Sequence, residues 1–88
     1  MVHELKTDPA VFQAVKEGRK PWEIRKNDRG FKVGDELWLK ETTHTGAEIA
    51  AGAPLEYTER IMAVQVTYIL HGPIYGLAEG WCIMSIAP

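Results

Sequence analysis

The 88-residue chain has a single cysteine, Cys82, which excludes an internal disulfide and any cysteine-based metal cluster. Within Trp81-Cys82-Ile83-Met84 that thiol is expected to behave as a small buried apolar group. Long hydrophobic runs are also missing. The nearest to one, residues 61–70, is interrupted by Gln65 and Thr67, so nothing in the chain reads as a bilayer-spanning helix. The N-terminus lacks the basic and apolar segments of a secretory signal, and a cytoplasmic location is the expectation. His3, His44 and His71 are too scattered for a recognised metal spacing, so neither a metal nor a cofactor is expected. No internal repeat is evident. A second core would need more chain, and residues 1–88 are read as one domain.

What is present is an uneven distribution of charge. The formal net charge is -2, but residues 16–32 hold seven basic groups (Lys16, Arg19, Lys20, Arg25, Lys26, Arg29, Lys32) against Glu17, Glu23 and Asp28, a local excess of +4. The rest of the chain carries Lys6, Lys40 and Arg60 against nine acids, or -6. A positive field confined to one stretch of an acidic protein suggests an anionic partner at one place and argues against general polycation behaviour.

The order of elements is legible from patterning. Residues 3–7 extend as a strand with Leu5 inward. Asp8-Pro9 reads as a helix start, with the aspartate as cap and proline at the first helical position. Val11, Phe12 and Val15 follow at helical spacing, and Gly18 suits the left-handed stop. Residues 21–26 form a second strand, Asn27-Asp28-Arg29-Gly30 a turn with Asp28 capping backbone amides, and Val33-Gly34-Asp35 a bend into the strand around Leu37-Trp38-Leu39. Residues 42–57 shift to Thr, Gly, Ala and Pro and are read as a flexible hairpin arm. Residues 59–71 are the longest strand candidate, with Met62, Val64, Val66 and Tyr68 on one face. After the break at Gly72-Pro73, residues 81–86 close the sheet. One early helix followed by several strands gives an α+β, mainly β fold, a small and partly closed β-barrel.

The chemistry concentrates in Gly18-Arg19-Lys20-Pro21-Trp22-Glu23-Ile24-Arg25. A strand sends alternate side chains to opposite faces, so Trp22 and Ile24 are expected in the core, with Glu23 and Arg25 together on the other side and Lys20 within reach. A structural Glu23–Arg25 ion pair is the plain alternative. As a binding site, Arg25 would hold a phosphate or base edge with its planar fork, Glu23 would orient it, and Lys20, Lys26 and Arg29 would add positive charge. His3 would join them if the first strand ran beside the motif strand. Stacking groups for unpaired bases are harder to find: with Trp22 assigned to the core, Trp38 and Tyr75 are the exposed candidates.

The spacing Gly18-x-Lys20-x-x-Glu23-x-Arg25, one residue tighter than some forms of the pattern, resembles the signature of the ASCH family, a branch of the PUA-like β-barrels. The wider string, His3-x-Leu5-Lys6 through Trp22 to Arg29, Phe31 and Val33-Gly34-Asp35, looks like a subgroup of small bacterial and phage ASCH-like proteins. The likeness is good over residues 3–41, weaker over 66–70 and the closing strand, and absent from 42–57. It implies a PUA-like barrel that binds RNA, a nucleotide or a modified nucleoside at Lys20, Glu23, Arg25, Lys26, Arg29 and His3.

The alternative implied by the same resemblance is a small hydrolase acting on N4-acetylcytidine or a related amide, with Lys20 and Glu23 catalytic and Glu79 as a second carboxylate. There the threonine nucleophile of the related enzymes is replaced by Glu23, which would have to act through water. A ribonuclease with His3 or Glu23 as base is a further variant. A shared fold does not decide between these activities.

Overall fold

A computed structural model describes all 88 residues. The chain runs β1 (Val2–Thr7), α1 (Pro9–Lys16), β2 (Trp22–Lys26), β3 (Glu36–Thr42), α2 (Gly46–Ala50), β4 (Tyr57–His71) and β5 (Trp81–Ala87). The strands form one sheet in the order β1-β3-β4-β5-β2, with β1 parallel to β3 and the other pairs antiparallel. It curls into a half-barrel whose edge strands are β1 and β2, a mainly-β member of the α+β class. None of its helices is long and apolar enough to cross a membrane.

Alternation builds the interior. Leu5 of β1, Leu37 and Leu39 of β3, Val64 and Val66 of β4, and Cys82, Met84 and Ile86 of β5 point inward, and Phe12 of α1 and Phe31 complete the cluster. Burying each of the larger of these side chains contributes on the order of 2 kcal/mol. Strand β2 adds nothing apolar to this core. Its buried residue is Glu23, while Trp22 and Ile24 are exposed to 42% and 43%. The expected phase of β2 is thus inverted: apolar residues are outside and the charged pair inside, where Glu23 is satisfied by Lys20 and Arg25.

Two further differences have local causes. Tyr68 does not share a face with Val64 and Val66, because a register shift between Val66 and Tyr68 inserts Thr67 as an extra residue and reverses the alternation. The connection 42–57 does link the antiparallel pair β3 and β4, but it carries a second helix, α2, where only the N-terminal one was expected. Thr45 Oγ1 accepts from Glu48 N at 3.1 Å and Glu48 Oε1 accepts from Thr45 N at 2.9 Å, a reciprocal cap that holds the Glu48 carboxyl below its usual range through the backbone bond first.

Asp8 makes no cap bond to α1. Its Oδ1 accepts from Gly46 N at 2.9 Å instead, pinning the start of α2 beside the start of α1. In the β2–β3 turn the capping side chain is Asn27, whose Oδ1 accepts from Phe31 N at 3.0 Å, and the Asp28 side chain has no hydrogen-bond partner. Glycine is required where β4 leaves the sheet: a Cβ on Gly72 would lie 2.0 Å from Ala78 O.

Candidate functional site: an ionic cleft at the barrel seam

The site begins at the end of α1. Gly18 takes φ +76°, a conformation open to glycine at low cost, and the chain turns so that Arg19 N and Lys20 N both donate to Ala14 O, at 2.9 and 3.2 Å. This sets Lys20 beside the first residues of β2. Its Nζ donates to Glu23 Oε1 at 2.9 Å and to Trp22 O at 2.6 Å, and lies 4.4 Å from the centre of the Trp22 ring. Arg25 Nε donates to the other oxygen, Glu23 Oε2, at 3.1 Å. The Glu23 side chain is 3% exposed, against 14% for Lys20 and 25% for Arg25. A buried carboxylate thus holds two cations that remain partly open to solvent.

The same arginine spans the seam. Strands β1 and β2 share no ladder, but Arg25 Nη2 donates to Lys6 O at 3.0 Å and Arg29 Nη1 donates to Glu4 O. Carbonyls two residues apart on one strand point to the same edge, so the free edge of β1 is covered by two guanidinium groups in place of a sixth strand.

Between β1 and β2 lies a cleft of about 440 Å³, with walls that include Lys6, Asp8, Lys20, Glu23, Arg25, Lys26, Asp28, Arg29, Phe31 and Trp81. Five cationic side chains face three acidic ones there, and the volume lies in the range of small-ligand sites. A second depression of about 370 Å³ shares Lys6, Asp8 and Arg25 with it and is closed on the far side by Gly46, Ile49 and Ala50 of α2. The 42–57 segment therefore borders this second depression and not the cleft itself.

Five of the six residues expected from sequence, Lys20, Glu23, Arg25, Lys26 and Arg29, come together in these walls. His3 does not. Strand β1 pairs with β3, and His3 is held behind Phe31, its Nε2 2.8 Å from Asp35 Oδ2 and its ring edge-on to Phe31 at 4.8 Å between centroids. Asp35 also accepts from Lys32 N at 3.0 Å, and its carboxyl is pulled below the usual aspartate value, chiefly by the His3 bond. Glu79 is exposed and lies outside the cleft walls. No group of three or more His, Cys, Asp or Glu is arranged to hold a metal ion.

Sequence reasoning leaves out Lys6, Asp8 and Trp81. Trp81 is recoverable in principle: β5 is apolar at both parities, so one set has to face outward, and Cys82, Met84 and Ile86 occupy the interior. The Cys82 thiol is raised above its usual pKa by that burial.

The fold and the seam define a small mainly-β half-barrel with an ionic cleft between its edge strands. The chain belongs to the family described as a domain of unknown function, DUF3850, which matches residues 2–86. No curated protein matches the sequence.

Proposed function

We propose that this half-barrel is a PUA-like domain of the ASCH type and that its cleft binds RNA or a nucleotide through phosphate. The observation that carries the reading is the surplus of hydrogen-bond donors on cations already held in place. An ammonium has three N–H donors and a guanidinium five. After its bonds to Glu23 and Trp22, Lys20 retains one. Arg25, bonded to Glu23 and Lys6, keeps three, and Arg29, bonded to Glu4, keeps four. Lys26 has no partner and offers all of its own. The fixed, partly desolvated donors of Lys20 and Arg25 suit phosphate oxygens, and the exposed Arg29 and Lys26 add charge and reach at the rim. Amide hydrolysis has less support, since both Glu23 oxygens are engaged by cations and the carboxylate serves to hold Lys20 and Arg25.

The test is the affinity for a labelled single-stranded RNA octamer across a salt series. Lys26→Ala touches no internal contact, so it should leave the melting temperature unchanged, weaken binding and lower the slope of log K against log salt by roughly 0.7. Arg25→Ala should weaken binding by about 1–3 kcal/mol. Unchanged affinity and salt slope in both variants would remove the cleft as a phosphate site.

A further inference from the structure

We infer that the outer face of β2, β5 and β4 is a stacking platform for unpaired bases, continuous with the cleft, so that the ligand is a single strand of several nucleotides. This rests on the reading of the cleft as a phosphate site. The inverted phase of β2 puts Trp22 and Ile24 outside, and the register aligns them in rows with the neighbouring strands. Trp22 pairs with Ser85, which pairs with Tyr68; Ile24 pairs with Ile83, which pairs with Leu70; Lys26 pairs with Trp81. Trp81 is 40% and Tyr68 62% exposed. With small Ser85 between them, the Trp22 and Tyr68 side chains flank a trough two strand spacings wide, roughly 10 Å.

An apolar aromatic face of this kind requires an occupant, and its charge selects which. The outward positions in these rows carry no acid, while Lys26 stands among them and the Lys20 ammonium lies over the Trp22 ring. A second copy packed by two-fold symmetry would set this face on itself and bring the two Lys26 ammonium groups, which have no acidic partner, onto a face whose outward rows carry no carboxylate. A polyanion with flat apolar groups matches both properties, since every base has a π-face to stack and a phosphate to neutralise.

The route between the two surfaces is defined by shared residues. Ile24, Lys26 and Trp81 belong to the outer rows and also line the cleft. A strand with a phosphate among Arg25, Lys26 and Arg29 would cross the rim at Trp81 and lay its next bases toward Trp22. Lys26 and Trp22 lie at opposite ends of β2, about 13 Å apart along the strand, a length that serves two or three stacked bases.

The experiment compares a single-stranded oligoadenylate octamer with adenosine monophosphate on the full chain. Trp81→Leu and Trp22→Leu should each weaken octamer binding roughly five- to hundred-fold, and Trp22→Leu should cost the octamer far more than the mononucleotide, which meets the Trp22 ring only through the Lys20 ammonium above it. Trp38, 38% exposed on β3 and away from these rows, is the control, and Trp38→Leu should bind the octamer normally. In the unsubstituted protein the octamer should quench tryptophan fluorescence, which tests the platform without relying on a variant's folding. Octamer affinity lost in Arg25→Ala but unaltered in both platform variants, with no quenching, overturns the platform and leaves the cleft reading standing. No octamer binding at low salt overturns both. A dimer in sedimentation that Trp81→Leu converts to monomer, with octamer affinity unchanged, makes the face a self-association surface and overturns the inference.

Discussion

Glu23 and Asp35 are both carboxylates shut away from solvent, 2% and 7% exposed, and each is approached by several donors. They differ in what the donors belong to. Around Asp35 the buried partners are the His3 ring and the Lys32 amide, parts of the fold with little left to offer a ligand, and the terminal ammonium reaches it from the surface at 3.4 Å. Around Glu23 they are two long cationic side chains at the mouth of a cleft, each with N–H groups to spare. The first arrangement closes the bend that leads into β3, and the second prepares cations for something outside the protein. Burial of an acid, by itself, marks neither a structural nor a functional role; the chemistry of its partners separates the two.

That contrast is open to direct attack, most forcefully at Asp35. Asp35→Ala strands a buried histidine and a backbone amide and is expected to cost about 2–4 kcal/mol in urea unfolding, with oligonucleotide affinity unaffected once the protein is folded. The same group gives a pH dependence. Because folding lowers its pKa, the ionised form is the one the fold favours, so its contribution is present above the ordinary aspartate value of 3.8 and is lost as the pH falls through the lower folded value. The loss on acidification should be shallower in His3→Gln, which removes the main cause of the shift.

Glu23→Gln is expected to be milder, about 1–2 kcal/mol, since Lys20 and Arg25 are partly solvated and recover some hydration. Its effect on binding should exceed that of any change at Asp35. With the carboxylate neutralised, octamer affinity should rise several-fold at low salt and its salt dependence should steepen. Equal binding effects at the two acids would abolish the distinction between them. The smallest effect is expected at a third carboxylate, the Asp8 tie to α2. Asp8→Ala should lower stability by about 0.5–1 kcal/mol and speed amide exchange at Gly46, without spreading to β3.

Parts of the site are readable in the sequence. Lys20, Glu23 and Arg25 lie so close along the chain that almost any extended path brings them together, and Gly18 announces the turn that positions the lysine. The spacing from Thr45 to Glu48 is a helix-start signal of the same local kind, obscured by the unpatterned composition around it. The expected face of β2 is wrong for a definite reason. Alternation fixes only which residues share a face, and here the buried face is the charged one, because Glu23 is neutralised in place by Lys20 and Arg25. Tyr68 departs from its expected face because alternation carries through a strand only until a bulge shifts it, and Thr67 has no feature that announces one. Strand β1 does border the seam, through Leu5, Lys6 and Thr7, but His3 stands nearer the start of that strand, where Asp35 and Phe31 hold its ring away from the cleft.

Local sequence thus determined the strands and the first helix, the cationic stretch and the left-handed stop before Lys20, because these depend on side-chain alternation, charge and backbone freedom over a few residues. Tertiary structure alone decided which edge strands face each other, which side of β2 is buried, and that Trp22 and Trp81 stand beside the cations. Those outcomes depend on the order β1-β3-β4-β5-β2, in which neighbours are set by packing between segments far apart in the chain.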